Sequence, residues 1–234
     1  MRSLRPWALR RKELLDDPAA DGAAVLSSLA DVAISNRLLG GSRAALAALD
    51  RFLRAVPAGR TAVLLDVGAG IGDIPAAAAR RARARGLTLR LLGVERHHAA
   101  ARALAERAIA GIIAEAGALP FRDGAVDFAL CSQLLHHFGG AAAEGVVREL
   151  DRVARSGVVI ADLRRSLLAA AGFFLASWPL RFNAVTRRDG VTSVLRGYRA
   201  AELTNLCRAA GVEARVRRHA GFRLTASWRP GGWR

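Results

Sequence analysis

The residues best placed to do chemistry gather around one glycine-rich stretch. The apolar run Ala62-Val63-Leu64-Leu65 ends in Asp66-Val67-Gly68-Ala69-Gly70-Ile71-Gly72-Asp73. Glycines there let the backbone turn sharply at the end of a strand and approach a ligand with no Cβ in the way. The spacing is GxGxG, whereas a dinucleotide fold uses a third glycine one place later to lay its helix on the strand. The lysine of a phosphate loop is missing, and a carboxylate at Asp66 repels phosphates. A second acid, Glu95, ends Leu92-Gly93-Val94-Glu95 about twenty residues on, where a carboxylate can accept both hydroxyls of a ribose. His136 and His137 follow a later apolar run, and histidine is the side chain best tuned to take a proton near neutrality. Either could instead cap a helix or fill the core. Asp162, beyond a further strand, could accept a substrate proton or pair with Arg164. His97 and His98 flank the ribose edge or lie in solvent, and His219 falls in a surface turn.

Positioning these groups requires strands and helices in alternation. Short apolar runs at 62–67, 89–94, 112–115, 126–131 and 158–161 read as buried strands. Helical segments at 74–85, 98–110 and 142–153 separate them, with Pro75 suited to a first turn and Gly86 to a stop. That rhythm implies right-handed crossovers and an α/β, doubly wound, mostly parallel sheet. The tail differs. After a helix at 200–210, the period-two runs 212–217 and 222–228 make an antiparallel strand pair at the sheet's end, for seven strands in all. Ahead of the sheet, apolar spacing over 1–57 fits three helices broken at Asp16-Asp17-Pro18 and Gly40-Gly41-Ser42, a helical cap on a main domain at 58–234.

The insert 164–197 is longer than an ordinary connection and reads as a lid. Leu167, Leu168, Phe173, Phe174, Leu175, Trp178, Leu180 and Phe182, with Arg181, Arg187 and Arg188 beyond them, suggest an apolar substrate tunnel with a basic rim. Phe174, Trp178, Asp162 and Arg164 are its candidate substrate residues.

The chain has 234 residues, 52% of them hydrophobic and 24% charged, which excludes a disordered or disulfide-stapled class. Its net charge of +16 rests on arginine, Lys12 being the single lysine. Such a balance admits nucleic acid or an anionic membrane surface as partners, although the arginines spread over nearly every helix and form no single stripe. Cys131 and Cys207 have no ligand spacing around them and read as buried reduced thiols, so no metal site is expected. The first twelve residues are charged, with no apolar core and cleavage site following. The longest apolar stretch, 167–180, is short of the roughly 20 residues that span a bilayer. A cytoplasmic location is expected.

Taken together, Asp66-Val67-Gly68-Ala69-Gly70-Ile71-Gly72, Val94-Glu95, Glu115-Ala116, Leu119-Pro120-Phe121-Arg122-Asp123-Gly124-Ala125-Val126-Asp127-Phe128 and Leu134-Leu135-His136-His137-Phe138 resemble the class I S-adenosylmethionine-dependent methyltransferases. The resemblance is closest to their quinone- and small-molecule-methylating branch. It implies a Rossmann-like methyltransferase fold and S-adenosylmethionine as cofactor. Asp66 and the loop Gly68, Ala69, Gly70 and Gly72 would hold the methionine portion. Glu95, with Arg96 beside it, would take the ribose hydroxyls, and Glu115 with the Ala116 backbone the adenine. Cys131 and Ser132 would line the cofactor beside the sulfonium. The adenine-contacting acid is usually aspartate in the family and is glutamate here.

Methyl transfer needs an acceptor brought into near-attack contact and water excluded. A base, His136 or His137, would add about 10²- to 10⁴-fold for a hydroxyl acceptor. The expectation is O-methylation of a lipophilic phenolic or enolic small molecule of polyketide or quinone type. Alternatives are an RNA methyltransferase, against which stands the lack of an appended RNA-binding motif or an asparagine-proline-proline-tyrosine signature, and a non-catalytic protein that keeps the cofactor fold.

Overall fold

The fold is described from a computed structural model, over residues 4–231; the outermost ends of both expected segments, 1–3 and 232–234, lie outside the described residues. Seven strands form one sheet: β1 (Thr61–Val67), β2 (Thr88–Glu95), β3 (Ala110–Ile113), β4 (Val126–Ser132), β5 (Ala154–Leu163), β6 (Arg215–His219) and β7 (Arg223–Trp228). Their spatial order is β3-β2-β1-β4-β5-β7-β6. Only β7 runs against the others, pairing antiparallel with β5 and with β6. This is the Rossmann-like methyltransferase architecture, with strand order reversing between β1 and β4, where such sheets open a crevice at the strands' carboxyl ends.

The helices are α1 (Leu4–Leu9), α2 (Gly22–Leu38), α3 (Gly41–Leu53), α4 (Asp73–Arg83), α5 (His98–Ala103), α6 (Gly140–Val153), α7 (Leu167–Ala176), α8 (Ala184–Arg196) and α9 (Ala200–Ala209). A 3₁₀ turn at Leu14–Asp16 stands between α1 and α2. The helix expected over 98–110 ends early, passing through a 3₁₀ turn at Leu104–Arg107 before Ala108 turns left-handed at φ 55°. The fifth strand is longer than its apolar run because β4 and β7 both pair with it.

Each sheet face buries its own core. On one, Val147, Leu150, Leu203, Cys207 and Trp228 pack on Val158 and Ile160, and the Trp228 indole N–H donates to Asp151 at 2.7 Å. On the other, Leu49 and Phe52 of α3 and Ala78 and Ala82 of α4 cover Leu64, Phe128 and Leu130. α3 thus packs on the sheet itself, although it lies in the segment read as a cap. Gly157 makes room for it, since a Cβ there would come within 2.6 Å of the Phe52 ring.

The remaining elements cross the carboxyl edge. α7 packs on α8, and α8 also touches α1 and α2. Asn183, the N-cap of α8, donates its backbone and side-chain N–H to Asp31 of α2 at 2.9 and 2.8 Å, joining the lid segment to the leading helices.

Candidate active site

The loop after β1 takes the shape its glycines allow. Gly68, Gly70 and Gly72 have φ of 73°, 57° and 77°, a region that costs an L side chain about 1–2 kcal/mol. Space is also short: a Cβ on Gly68 would lie 2.8 Å from Leu134, and one on Gly72 2.4 Å from Ile109. The Gly68 and Ala69 N–H groups donate to Val94 O at 2.9 and 3.2 Å, so the loop is stitched to the end of β2.

That stitching gathers three acids. Asp66 is fully buried and its Oδ1 has no hydrogen-bond partner; burial, with Asp73 and Glu95 nearby, holds its carboxyl well above the usual range. Burial raises Asp73 as well. Glu95 accepts the Gly70 N–H at 2.5 Å, yet burial still pushes its carboxyl up to about 7. Buried carboxyl groups held this close need a cation or protons. This donor set fits a ligand carrying a sulfonium and an ammonium, and opposes a pyrophosphate.

These groups open on one cavity of about 780 Å³, towards the large end of the roughly 300–1,000 Å³ that ligand sites occupy. Asp66, Gly68, Ala69, Gly70, Glu95, Arg96, Glu115, Ala116 and Ser132 line it. Arg96 lies 3.8 Å from the largely exposed Glu115 at its rim. Gly72 shapes the loop from behind. Cys131 is a correction: its side chain packs among Val67, Leu135 and Val147, because alternation along β4 turns it to the opposite face from Ser132.

On the acceptor side, His136 and His137 both line the cavity, with their rings 4.3 Å apart. His136 Nδ1 meets Asp162 Oδ1 at 2.7 Å, and the His136 backbone N–H donates to Oδ2 at 2.9 Å. Its Nε2 is buried without a partner. Burial alone would raise Asp162, but His136 beside it and the Leu163 N–H hold its carboxyl below the ordinary value. Asp162 therefore neither lines the cavity nor pairs with Arg164, as its two expected roles required; it orients His136. Arg164 does line the cavity, over the Phe222 ring at 4.9 Å.

His137 is differently employed. Its Nδ1 lies 2.6 Å from Asp16 Oδ1 and 3.0 Å from Arg196 Nη1. The buried Arg196 pairs with Glu13 at 3.0 Å and Asp16 at 2.8 Å, and donates to the Arg11 carbonyl. Glu13, His136 and His137 bring donor atoms within 4.8 Å of one another, the spacing of a metal site, but the Arg196 guanidinium already supplies positive charge there.

Of the expected tunnel residues, Leu168 and Phe173 line the cavity together with Ala169 and Gly172, whereas Phe174 and Trp178 lie outside it, exposed on the outer face. The 3.6-residue repeat decides this, since Phe173 and Phe174 diverge by about 100°. His97, expected at the ribose edge or in solvent, is buried at the cavity wall with Nε2 3.2 Å from Leu15 O, and His219, expected in a surface turn, lines the cavity with Nε2 2.8 Å from Thr225 Oγ1.

Further lining residues carried weaker signals. Asn36 is buried, donates to Asp73 at 3.5 Å and leaves Oδ1 unpartnered. Asp73 directly follows the glycine motif. Gln133 sits at φ 52°, an uncommon conformation at the ligand edge. Glu13 and Arg196 gave no local sign, being 183 positions apart in the chain.

Residues 65–161 match a family model described as a methyltransferase domain. No curated protein sequence matches the chain. Among solved structures, the chain is similar to an S-adenosylmethionine-dependent methyltransferase from Aquifex aeolicus (16% identity, 76% of this chain and 85% of that one, TM-score 0.53). It is similar to human N-acetylserotonin methyltransferase in complex with S-adenosylmethionine (10%, 88% and 56%, TM-score 0.62). A third is magnesium protoporphyrin IX methyltransferase from Synechocystis PCC 6803 with bound S-adenosylhomocysteine (12%, 81% and 81%, TM-score 0.52). At such identities the likeness is one of fold.

Proposed function

We propose that the chain is a class I S-adenosylmethionine-dependent methyltransferase, in keeping with the methyltransferase-domain match over 65–161, and that it O-methylates a lipophilic phenolic or enolic small molecule. The observation that carries the reading is His136: its Nδ1 is held by Asp162, and its Nε2 is buried and unpartnered in a ring that lines the same cavity as the glycine loop.

Bound in the loop half, the cofactor would supply an electrophilic methyl group. Asp66, Asp73 and Glu95 would hold its positive charge, and Glu95 would also take the ribose hydroxyls. His136 Nε2 takes the proton of the acceptor hydroxyl as the oxygen becomes nucleophilic. Asp162 keeps the imidazole in the tautomer with Nε2 free and stabilises the imidazolium that forms. Leu168, Phe173 and Leu39 give the cavity an apolar wall suited to a lipophilic acceptor. The reaction is placed in the cytoplasm, in keeping with the buried free thiols Cys131 and Cys207.

The test is transfer of labelled methyl from S-adenosylmethionine to alkylated phenols and quinols, with RNA and amine acceptors in parallel. Label on a hydroxyl oxygen, lost in His136→Ala, is the expected result. Turnover on RNA alone, or cofactor binding with no turnover on any acceptor, overturns the reading.

A further inference from the structure

We propose that the outward face of α7 docks on an anionic lipid surface, so that the lid lies against a bilayer. α7 is apolar all round, LLAAAGFFLA, a composition that belongs in a protein interior or in lipid. It is not in an interior. Leu167 is 56% exposed, Leu168 71%, Leu175 67% and Trp178, just past the helix end, 57%. At 100° per residue, Leu167, Leu168, Ala171, Phe174, Leu175 and Trp178 fall within about 120° of one another, a single stripe. Phe174 and Trp178 meet edge to face at 6.4 Å within it. Scattered exposed leucines need no explanation, but a continuous stripe with aromatic residues marks an interaction surface.

Charge selects the occupant. From Leu163 to Arg188 the chain has five arginines and no acidic residue, and the last of them, Arg188, pairs with Asp189 just beyond at 2.9 Å. Arg164 and Arg165 are turned inward, to the cavity and to Glu202. At the far end of the stripe, Arg187 stacks on Trp178 at 3.7 Å, and the exposed Arg181 has no carboxylate partner among the described residues. An apolar stripe ending in tryptophan and arginine has the chemistry of an interfacial helix, which seats its apolar face below the headgroups and its cations among anionic phosphates. A protein partner of acidic surface would leave the leucines unpaired. The described residues include no helix long and apolar enough to cross a membrane, so the contact is peripheral.

The opposite side of the same helix, Ala169, Gly172 and Phe173, lines the cavity, and Leu168 belongs to both surfaces. A bilayer against α7 therefore adjoins the acceptor site, and a lipid-dissolved acceptor reaches it without crossing water. That route rests on the proposed function; the docking does not.

Flotation of the full chain with vesicles of phosphatidylglycerol and phosphatidylcholine, and with phosphatidylcholine alone, tests it. Binding to the mixed vesicles is expected, with tryptophan fluorescence quenched by brominated acyl chains. Leu175→Glu weakens binding about tenfold or more, as loss of one buried leucine plus an added charge at the interface requires. Trp178→Phe keeps binding and removes most of the quenching. Unchanged affinity for S-adenosylhomocysteine in both variants shows that the fold and cofactor site persist. Three results overturn the proposal. One is no binding to either vesicle. Another is binding that Leu175→Glu leaves intact and salt abolishes, which is adsorption of a basic protein. The last is a dimer in sedimentation that Leu175→Glu dissociates, which makes a second copy the occupant. Loss of methyl transfer with vesicle binding intact would count against the proposed function alone.

Discussion

The two halves of the cavity balance their charges in opposite ways. In the loop half, Asp66, Asp73 and Glu95 come from β1, the first turn of α4 and β2, and burial raises all three carboxyls. Among the described residues no guanidinium is hydrogen-bonded to any of the three; the Arg96 backbone N–H donates to Glu95, the Arg96 and Arg107 side chains lower Glu95 and Asp73 only by their nearby charge, and Asp66 Oδ1 has no partner. In the acceptor half, Glu13, Asp16, His137 and Arg196 converge from the leading segment, β4's far end and α8, and there the cation is built in. A half that leaves its acids uncompensated is prepared for a cationic ligand. A half that already pairs its acids with a buried guanidinium is prepared for an uncharged one, with His136 Nε2 as the exception that does chemistry.

The sharpest way to break this contrast is His136→Ala. Turnover is expected to fall about 10²- to 10⁴-fold, the usual worth of a general base, while calorimetric affinity for S-adenosylhomocysteine stays within about threefold. If affinity falls with turnover, His136 belongs to the cofactor half and the division fails. Arg196→Met should leave Glu13 and Asp16 uncompensated and destabilise the fold by about 3–5 kcal/mol in denaturant unfolding, the cost of breaking a buried pair. A neutral outcome would mean that the acceptor half does not depend on its internal cation.

Glu95→Gln sharpens the other side. Affinity for S-adenosylhomocysteine should weaken about 10- to 100-fold, as expected for hydrogen bonds to a charged group. In the wild type, Glu95 must ionise to hold the ligand, so affinity should also drop as pH falls below about 7, and Glu95→Gln should flatten that dependence. A last test concerns the cofactor-free protein. Its Glu95 keeps a proton that the unfolded chain releases between about 4.5 and about 7. This contribution to stability is present in full below 4.5 and lost as pH rises through 7, on the order of 3 kcal/mol in thermal or urea unfolding at a series of pH values. Stability that rises over that window would show that the loop half is compensated after all.

The same contrast explains what could be read along the chain. The loop half is local: strand, turn and next strand end lie within about thirty residues, and period, glycine spacing and terminal acids were enough to place Asp66, Gly68, Gly70 and Glu95 around one crevice. The alternation of 212–217 and 222–228 likewise placed the reversed strand at the sheet's end. Phe174 and Trp178 went to the wrong side because α7 is apolar on every face, so its pattern carried no signal for which side faces in. Cys131 was misplaced for a related reason: every position of a strand covered on both faces reads as apolar, and the two faces look alike.

The amino-acid sequence by itself determined the sheet, the ligand edge and the half of the site formed by neighbouring segments, because backbone geometry and hydrophobic period act over short separations. Only the tertiary structure decided that Asp162 serves His136, that Glu13 and Asp16 reach across to Arg196 and His137, and which side of α7 meets the cavity. Those pairings join residues far apart in the chain through burial and charge balance, and these are properties of the folded neighbourhood.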